Sequence, residues 1–241
     1  MFLVLISLLT AGAAEPTQIT WELGLNGKKI GERELVVRVE EIQGLEFRTL
    51  QAKTKVDGRI FGIDFAYQEK LTANADIGPA SFINVVEQGG RLSEVQGRRT
   101  GAGWVVTVKD PKRTRIDEMK VDDVDLSTAD LLDPHSRVPL SRFETARILS
   151  AETGEVLSGP VEPLGPSDVQ IGGQSVAVEG YRWSNEQFKG TFYYTSDGWL
   201  VRFDTRVMGQ RVSGVLTDPP PTGVDDAPID VFGPGLDAVE L

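Results

Sequence analysis

A single histidine, His135, stands in the segment Asp133-Pro-His-Ser136 and is the first residue to weigh for general acid-base chemistry. A nucleophilic triad built on it needs a serine on a sharp strand-to-helix elbow, and the G-x-S-x-G frame that makes such an elbow does not occur. A zinc site needs further histidines or cysteines, and the sequence has none. The stretch Asp117-Glu-Met-Lys-Val-Asp122-Asp-Val-Asp125, with Asp130 and Asp133 beyond it, offers the oxygen ligands that calcium takes. It lacks the alternate spacing and central glycine of a calcium loop and carries Lys120 among its acids, so it reads as a solvated acidic connector. Lys109, Lys112, Arg113 and Arg115 precede it and are expected to be satisfied by these carboxylates on the surface. Gly101-Ala-Gly103 lacks the helix that must follow a phosphate-binding loop. With 36 acids, carboxylate pairs suited to glycoside hydrolysis exist in any fold, and spacing along the chain does not measure their separation. The chain is therefore read as non-enzymatic, with no catalytic residue, metal ligand or cofactor assigned.

Aromatic residues remain. Trp21, Phe61, Phe65, Trp104, Trp183, Phe192, Trp199 and Phe203 fall on strand faces read as inward. The clearest case is GTFYYTSDGWLVRFDTRVMG (190–209), where Trp199, Val201, Phe203, Thr205 and Val207 alternate with Leu200, Arg202, Asp204 and Arg206. In a flat sandwich such residues fill the core. In a strongly curved sheet they wall a volume that either the chain's own crossover plugs or an apolar ligand, a lipid or acyl chain, occupies.

The elements that carry these residues alternate with a period of two almost throughout. Ile19, Trp21, Leu23 and Leu25 lead into the hairpin signal Asn26-Gly27, and Leu35, Val37 and Val39 return. Leu45 to Val56, a turn at Asp57-Gly58, and Phe61, Ile63, Phe65 and Tyr67 follow, then strands at 80–87 and 91–96 split by Gly89-Gly90, and Trp104 to Val108. From Asp110 to Glu144 the alternation lapses; the segment reads as a crossover over the sheet, with a short helix from Ser127 to Leu132 capped by Ser127 and Asp130. Alternation resumes at Ala146, turns at Glu152-Thr-Gly154 and Gly172-Gly173, and slips phase between Val178 and Tyr181, as a β-bulge would cause. The expected class is all-β: a curved antiparallel sheet, an open or partly closed barrel, with a short helical crossover in the middle.

Phe2-Leu-Val-Leu-Ile-Ser-Leu-Leu9 followed by small residues has the layout of a secretory signal peptide, so residues 1–14 are expected to be removed and the protein exported to the periplasm or the medium. A single β domain is expected over 15–217, divided into blocks 15–109 and 146–217 around a crossover at 110–145, and a disordered Pro- and Gly-rich acidic tail over 218–241. A net charge of −11 argues against nucleic acid as a partner, and no transmembrane span is read in the mature chain. Zero cysteines mean that core size, not disulfides, must supply stability.

Three motifs carry a resemblance. L-x-x-N-G-K-K-I-G-E-R-E-L (Leu23 to Leu35), L-S-A-E-T-G-E-V (Leu149 to Val156) and G-T-F-Y-Y-T-S-D-G-W-L-V-R-F (Gly190 to Phe203) resemble exported bacterial β-proteins grouped as domains of unknown function. The resemblance implies a curved antiparallel sheet in the cell envelope, similar in outline to the open barrels that carry lipoproteins or lipids across the periplasm, and it brings no catalytic residues. The acidic insertion from Asp117 to Asp133 and the Pro-rich tail depart from the common pattern. The leading expectation is an envelope protein that binds a lipid or acyl chain on its aromatic face. The alternative is a structural or protein-binding envelope module with these aromatics as core, and a hydrolase stands third.

Overall fold

The computed structural model describes residues 15–42, 45–60, 63–76, 80–136, 139–207 and 209–221. The alternating segments form strands β1 (Thr17–Leu25), β2 (Lys28–Ile42), β3 (Leu45–Ile60), β4 (Ile63–Asp76), β5 (Ser81–Gln88), β6 (Arg91–Thr100), β7 (Gly103–Lys109), β8 (Thr114–Lys120), β9 (Leu126–Ser127), β10 (Thr145–Leu149), β11 (Val156–Ile171), β12 (Gln174–Ser184), β13 (Lys189–Tyr194), β14 (Leu200–Val207) and β15 (Gln210–Leu216). All belong to one sheet in the order β8-β7-β6-β5-β4-β3-β2-β1-β15-β14-β13-β12-β11-β10-β9. The short β9–β10 pairing is parallel, and the other neighbours are antiparallel. The first and last strands meet in the middle, where Trp21 stands opposite Arg33 on β2 and Leu216 on β15, so the free edges are β8 and β9.

Only residues 121–125 join those two edges, so the sheet must roll up. It curls without closing, and the turn after β10 folds onto its inner face. Gly154, in the turn between β10 and β11, lies against Val95, Val106 and Val108 on the inner face of β6 and β7. β10 accordingly buries one face, Ala146 and Ile148, along its length, and the other only at Leu149, since Thr145 is exposed and Arg147 half-buried. The two-residue turns behave as expected. Asn26 and Gly27 adopt φ of 49° and 82°, the left-handed pair that matches the twist of a hairpin, and Gly89-Gly90 and Gly172-Gly173 do the same.

Four expectations change. β3 runs through Asp57-Gly58, because Gly58 stands opposite Phe65 in the ladder, and the reversal comes after Ile60. Thr114–Lys120, read as part of the crossover, is strand β8. Ser127 to Leu132 is not a helix: Ser127 ends β9, and the bonds from Asp130 N to Ser127 O and from Leu132 N to Ala129 O make successive tight turns. The capping pair is nonetheless formed, since Asp130 accepts from both Ser127 N and Ser127 Oγ at 2.6 and 2.8 Å. The crossover's helical content is 3-10: single turns at Val121–Asp123, Pro134–Ser136 and Pro139–Arg142. The phase slip near Gly180 is a register shift whose extra residue, Leu164, sits on β11 opposite Gly180 and Tyr181. The expected signal peptide (1–14), Phe61 and residues 222–241 of the expected tail lie outside the described residues. Among the described residues no helix is long and apolar enough to cross a membrane.

Candidate functional site

The inner face is where the sequence places its aromatics, and the strands deliver them there except Trp199, which lies in the turn just before β14. A register shift there sets Leu200 opposite Tyr194 and breaks the expected alternation of Trp199, Val201 and Phe203 against Leu200. Trp21, Trp104, Trp183, Phe192 and Trp199 are all buried in one hydrophobic cluster, with Phe65 and Phe203 partly buried against it. Two indoles are anchored: Trp21 Nε1 donates to Leu200 O at 3.0 Å and Trp183 Nε1 to Ala146 O at 3.1 Å. Trp104 packs on Phe82 with ring centroids 5.9 Å apart, and Trp183 on Phe188 at 5.4 Å. Glycines make room for rings from neighbouring strands. Phe82 stands opposite Gly97 and Phe203 opposite Gly214, and in each pair the ring lies where a glycine side chain would begin.

The crossover fills what the curve encloses. Val124, Ala129, Leu131, Leu132 and Leu140 are buried in the same cluster. The Tyr194 hydroxyl donates to Leu131 O at 3.3 Å, and burial pushes that phenol's pKa up. Asp133, 2 % exposed, accepts from His135 N at 3.0 Å and Ser136 Oγ at 3.4 Å, and Arg48 Nη2 on β3 lies 3.8 Å away. The acidic stretch is therefore only partly the solvated connector expected. Asp122 and Asp123 are exposed, Asp125 forms a bidentate pair with Arg147 at 2.6 and 3.0 Å, and Asp133 is internal. The preceding cations are paired locally, Lys109 with Glu94, Arg113 with Asp110 and Arg115 with Asp117. Between the crossover and β3, β4, β5 and β7 there remains a cavity of about 10 Å³, lined by Leu50, Phe82, Trp104, Ala129, Asp130 and others. That is room for one water molecule.

At the β2–β5 part of the inner face sits a polar cluster that the sequence reading did not single out. Arg33 Nη2 meets Glu69 Oε2 at 2.5 Å, Thr54 Oγ1 donates to the same oxygen at 2.8 Å, and Asn84 Nδ2 donates to Glu69 Oε1 at 3.0 Å. Burial alone would raise the Glu69 pKa, but the Arg33 charge and these hydrogen bonds outweigh it and hold the carboxyl below its usual range. Glu152 is largely exposed as a residue, yet its carboxyl reaches Tyr67 beside Glu69; desolvation there and the Glu69 charge raise its pKa. Asn84 Oδ1 is buried without a partner. The signal was present in the sequence: Glu69 continues the inward series Phe65 and Tyr67 toward Leu71. Among the described residues no group of three or more His, Cys, Asp or Glu is placed to hold a metal.

A second, open cavity of about 250 Å³ lies beside the 3-10 turn at Pro139–Arg142, floored by Leu140, Phe143, Val161, Pro163 and Tyr181 and rimmed by Arg142 and Glu144. None of the aromatics singled out from the sequence lines it.

A rolled, open antiparallel sheet around its own crossover defines a barrel-like all-β protein. In keeping with that class, the chain is similar to the crystal structure of a beta-barrel-like protein of the domain of unknown function DUF1849 from Brucella abortus, with a TM-score of 0.60 and 10% sequence identity, covering 84% of this chain and 96% of that one. The likeness is one of fold. No family model matches the sequence, and no curated protein matches it.

Proposed function

We propose that the protein is a non-enzymatic module of the cell envelope that acts by binding protein through its outer surface, with the inner aromatic face serving as its core. The observation that carries this reading is the filling of the curve: five aliphatic residues of the crossover are buried in the inner cluster, and the cavity beside them against Leu50, Phe82 and Trp104 is only about 10 Å³. Lifting the crossover would expose those side chains at about 1.5–3 kcal/mol each for the larger ones, a cost that a lipid would have to repay before gaining affinity. Glu69, the most buried acid of the inner cluster's carboxyl pair, is neutralised by Arg33 and not presented to an open cavity, which supports a structural role. Export rests on the apolar run Phe2 to Leu9 and the small residues after it.

Native mass spectrometry of protein purified from its exporting cells, with lipid extraction of the same sample, tests this reading. The bare polypeptide mass is expected; a discrete adduct that partitions into organic solvent would overturn it. The open cavity at Tyr181 favours a second reading, an apolar ligand such as an acyl chain held at the margin of the core, because its floor is apolar and Arg142 stands at its rim. An adduct that disappears in Val161→Trp, which fills that cavity, would establish this reading in place of the first.

A further inference from the structure

We infer that the free edge of β8 is a self-complementary docking strand, and that its partner is a second copy of this chain, joined antiparallel about a two-fold axis at Ile116. This names the partner of the outer surface proposed above and rests on that reading.

The strand Thr114-Arg-Ile-Asp-Glu-Met-Lys120 pairs with β7 on one side and ends the sheet on the other. An edge strand presents a row of unpaired N–H and C=O groups, a template for another strand. The opposite edge does not compete, since β9 is only Leu126–Ser127. β8 also carries the largest exposure of any big apolar side chain among the described residues, Ile116 at 65 %. Ile83 on β5 shares its face, because Ile83 faces Gln96, Gln96 faces Thr107 and Thr107 faces Ile116 across consecutive ladders.

The register follows from charge. Residues directly opposite in an antiparallel pair share a face and interact, and like charges there are unfavourable. With the axis at Ile116, each Ile116 meets its own copy, Arg115 meets Asp117 of the second copy, Asp117 meets Arg115, and Thr114 meets Glu118. Both ion pairs form at the rim of the inner face, which Arg115 and Asp117 share with Val108 and Val106, and the apolar pair forms on the outer face. Centring on Asp117 or on Glu118 instead sets that acid against its own copy. Arg115 and Asp117 already lie together within β8, Nε to Oδ2 2.6 Å; Arg115 Nε is itself buried, and what reaches the axis is the one-third of each side chain that is exposed. An isologous contact of one short strand is small, and the dimer is accordingly weak and concentration-dependent.

The test uses two single variants and their mixture, read by sedimentation velocity and native mass spectrometry. Wild type should show a dimer that grows with concentration and shrinks with added salt. Arg115→Asp and Asp117→Arg each place like charges opposite at both pairs, and each alone should dimerise about tenfold more weakly or worse. Mixed in equal amounts they should form a heterodimer, identified by its mass, because every pair is again complementary. Ile116→Lys, at a solvent-facing position, should also abolish the dimer. Wild type that stays monomeric at every concentration, or single variants that dimerise as well as wild type, would overturn the inference. A lipid adduct in the same spectra counts against the core reading alone, so the two failures are told apart.

Discussion

Trp21 on β1 and Leu200 at the start of β14 are joined by a hydrogen bond from indole Nε1 to the main-chain carbonyl, 3.0 Å long, although β15 lies between their strands. The fully buried ring thus spans the place in mid-sheet where the first and last strands of the chain meet. Trp21→Phe keeps most of the volume and loses the donor, and should cost about 1 kcal/mol of unfolding free energy. Trp21→Ala adds a cavity and should cost about 3–5 kcal/mol. Chemical denaturation of the two variants checks both values.

The glycines beneath the rings make a second prediction. A methyl group at Gly97 would enter the space of the Phe82 ring, and one at Gly214 that of Phe203. Gly97→Ala and Gly214→Ala should each destabilise by about 1–3 kcal/mol, the usual cost of overpacking. Gly101→Ala, where nothing lies within 4 Å, should change stability by less than about 0.5 kcal/mol.

Charge inside the roll predicts a pH dependence. Glu69 has its pKa depressed in the folded state, so its contribution is present above the ordinary carboxylate range and is lost as pH falls through the folded value. Glu69→Gln leaves Arg33 without its counter-charge and should cost about 3–5 kcal/mol at neutral pH, with a flatter decline toward acid than wild type. Asp130 is shifted the other way, because burial raises its pKa above what the Ser127 hydrogen bonds recover. Its contribution is present below the ordinary value and is lost as pH rises through the folded one, so the stability of Asp130→Asn relative to wild type should improve as pH rises. Denaturant midpoints measured across acid and neutral buffers check both signs.

Most of the meander is legible in the sequence, because an inner face sealed from water demands an apolar residue at every second position. Ile19, Trp21 and Leu23 obey it, as do Trp104 and Val106. β8 escapes that logic: an edge strand with solvent on much of its surface needs no apolar stripe, and only Ile116 and Met119 break its run of polar residues. Asp57-Gly58 has the composition of a turn yet lies inside a long ladder, since pairing with Phe65 and Ala66 outweighs local preference. The interior acids are legible unequally: Glu69 continues the inward series of β4, whereas Asp133 stands in a segment with no period to place it. What the sequence does not show for either is the partner that makes burial tolerable, because it is distant along the chain, Arg33 for Glu69 and the Arg48 side of β3 for Asp133.

Intrinsic fluorescence reads directly whether the inner aromatic face is closed, because all four tryptophans, Trp21, Trp104, Trp183 and Trp199, lie on or beside that face at no more than 6 % exposure. A blue-shifted emission that resists acrylamide quenching and does not change when phospholipid vesicles or long-chain fatty acids are added is the predicted result. Emission that is readily quenched and that shifts and becomes protected on adding either lipid would contradict it, and would mean that the crossover leaves the face to an apolar ligand.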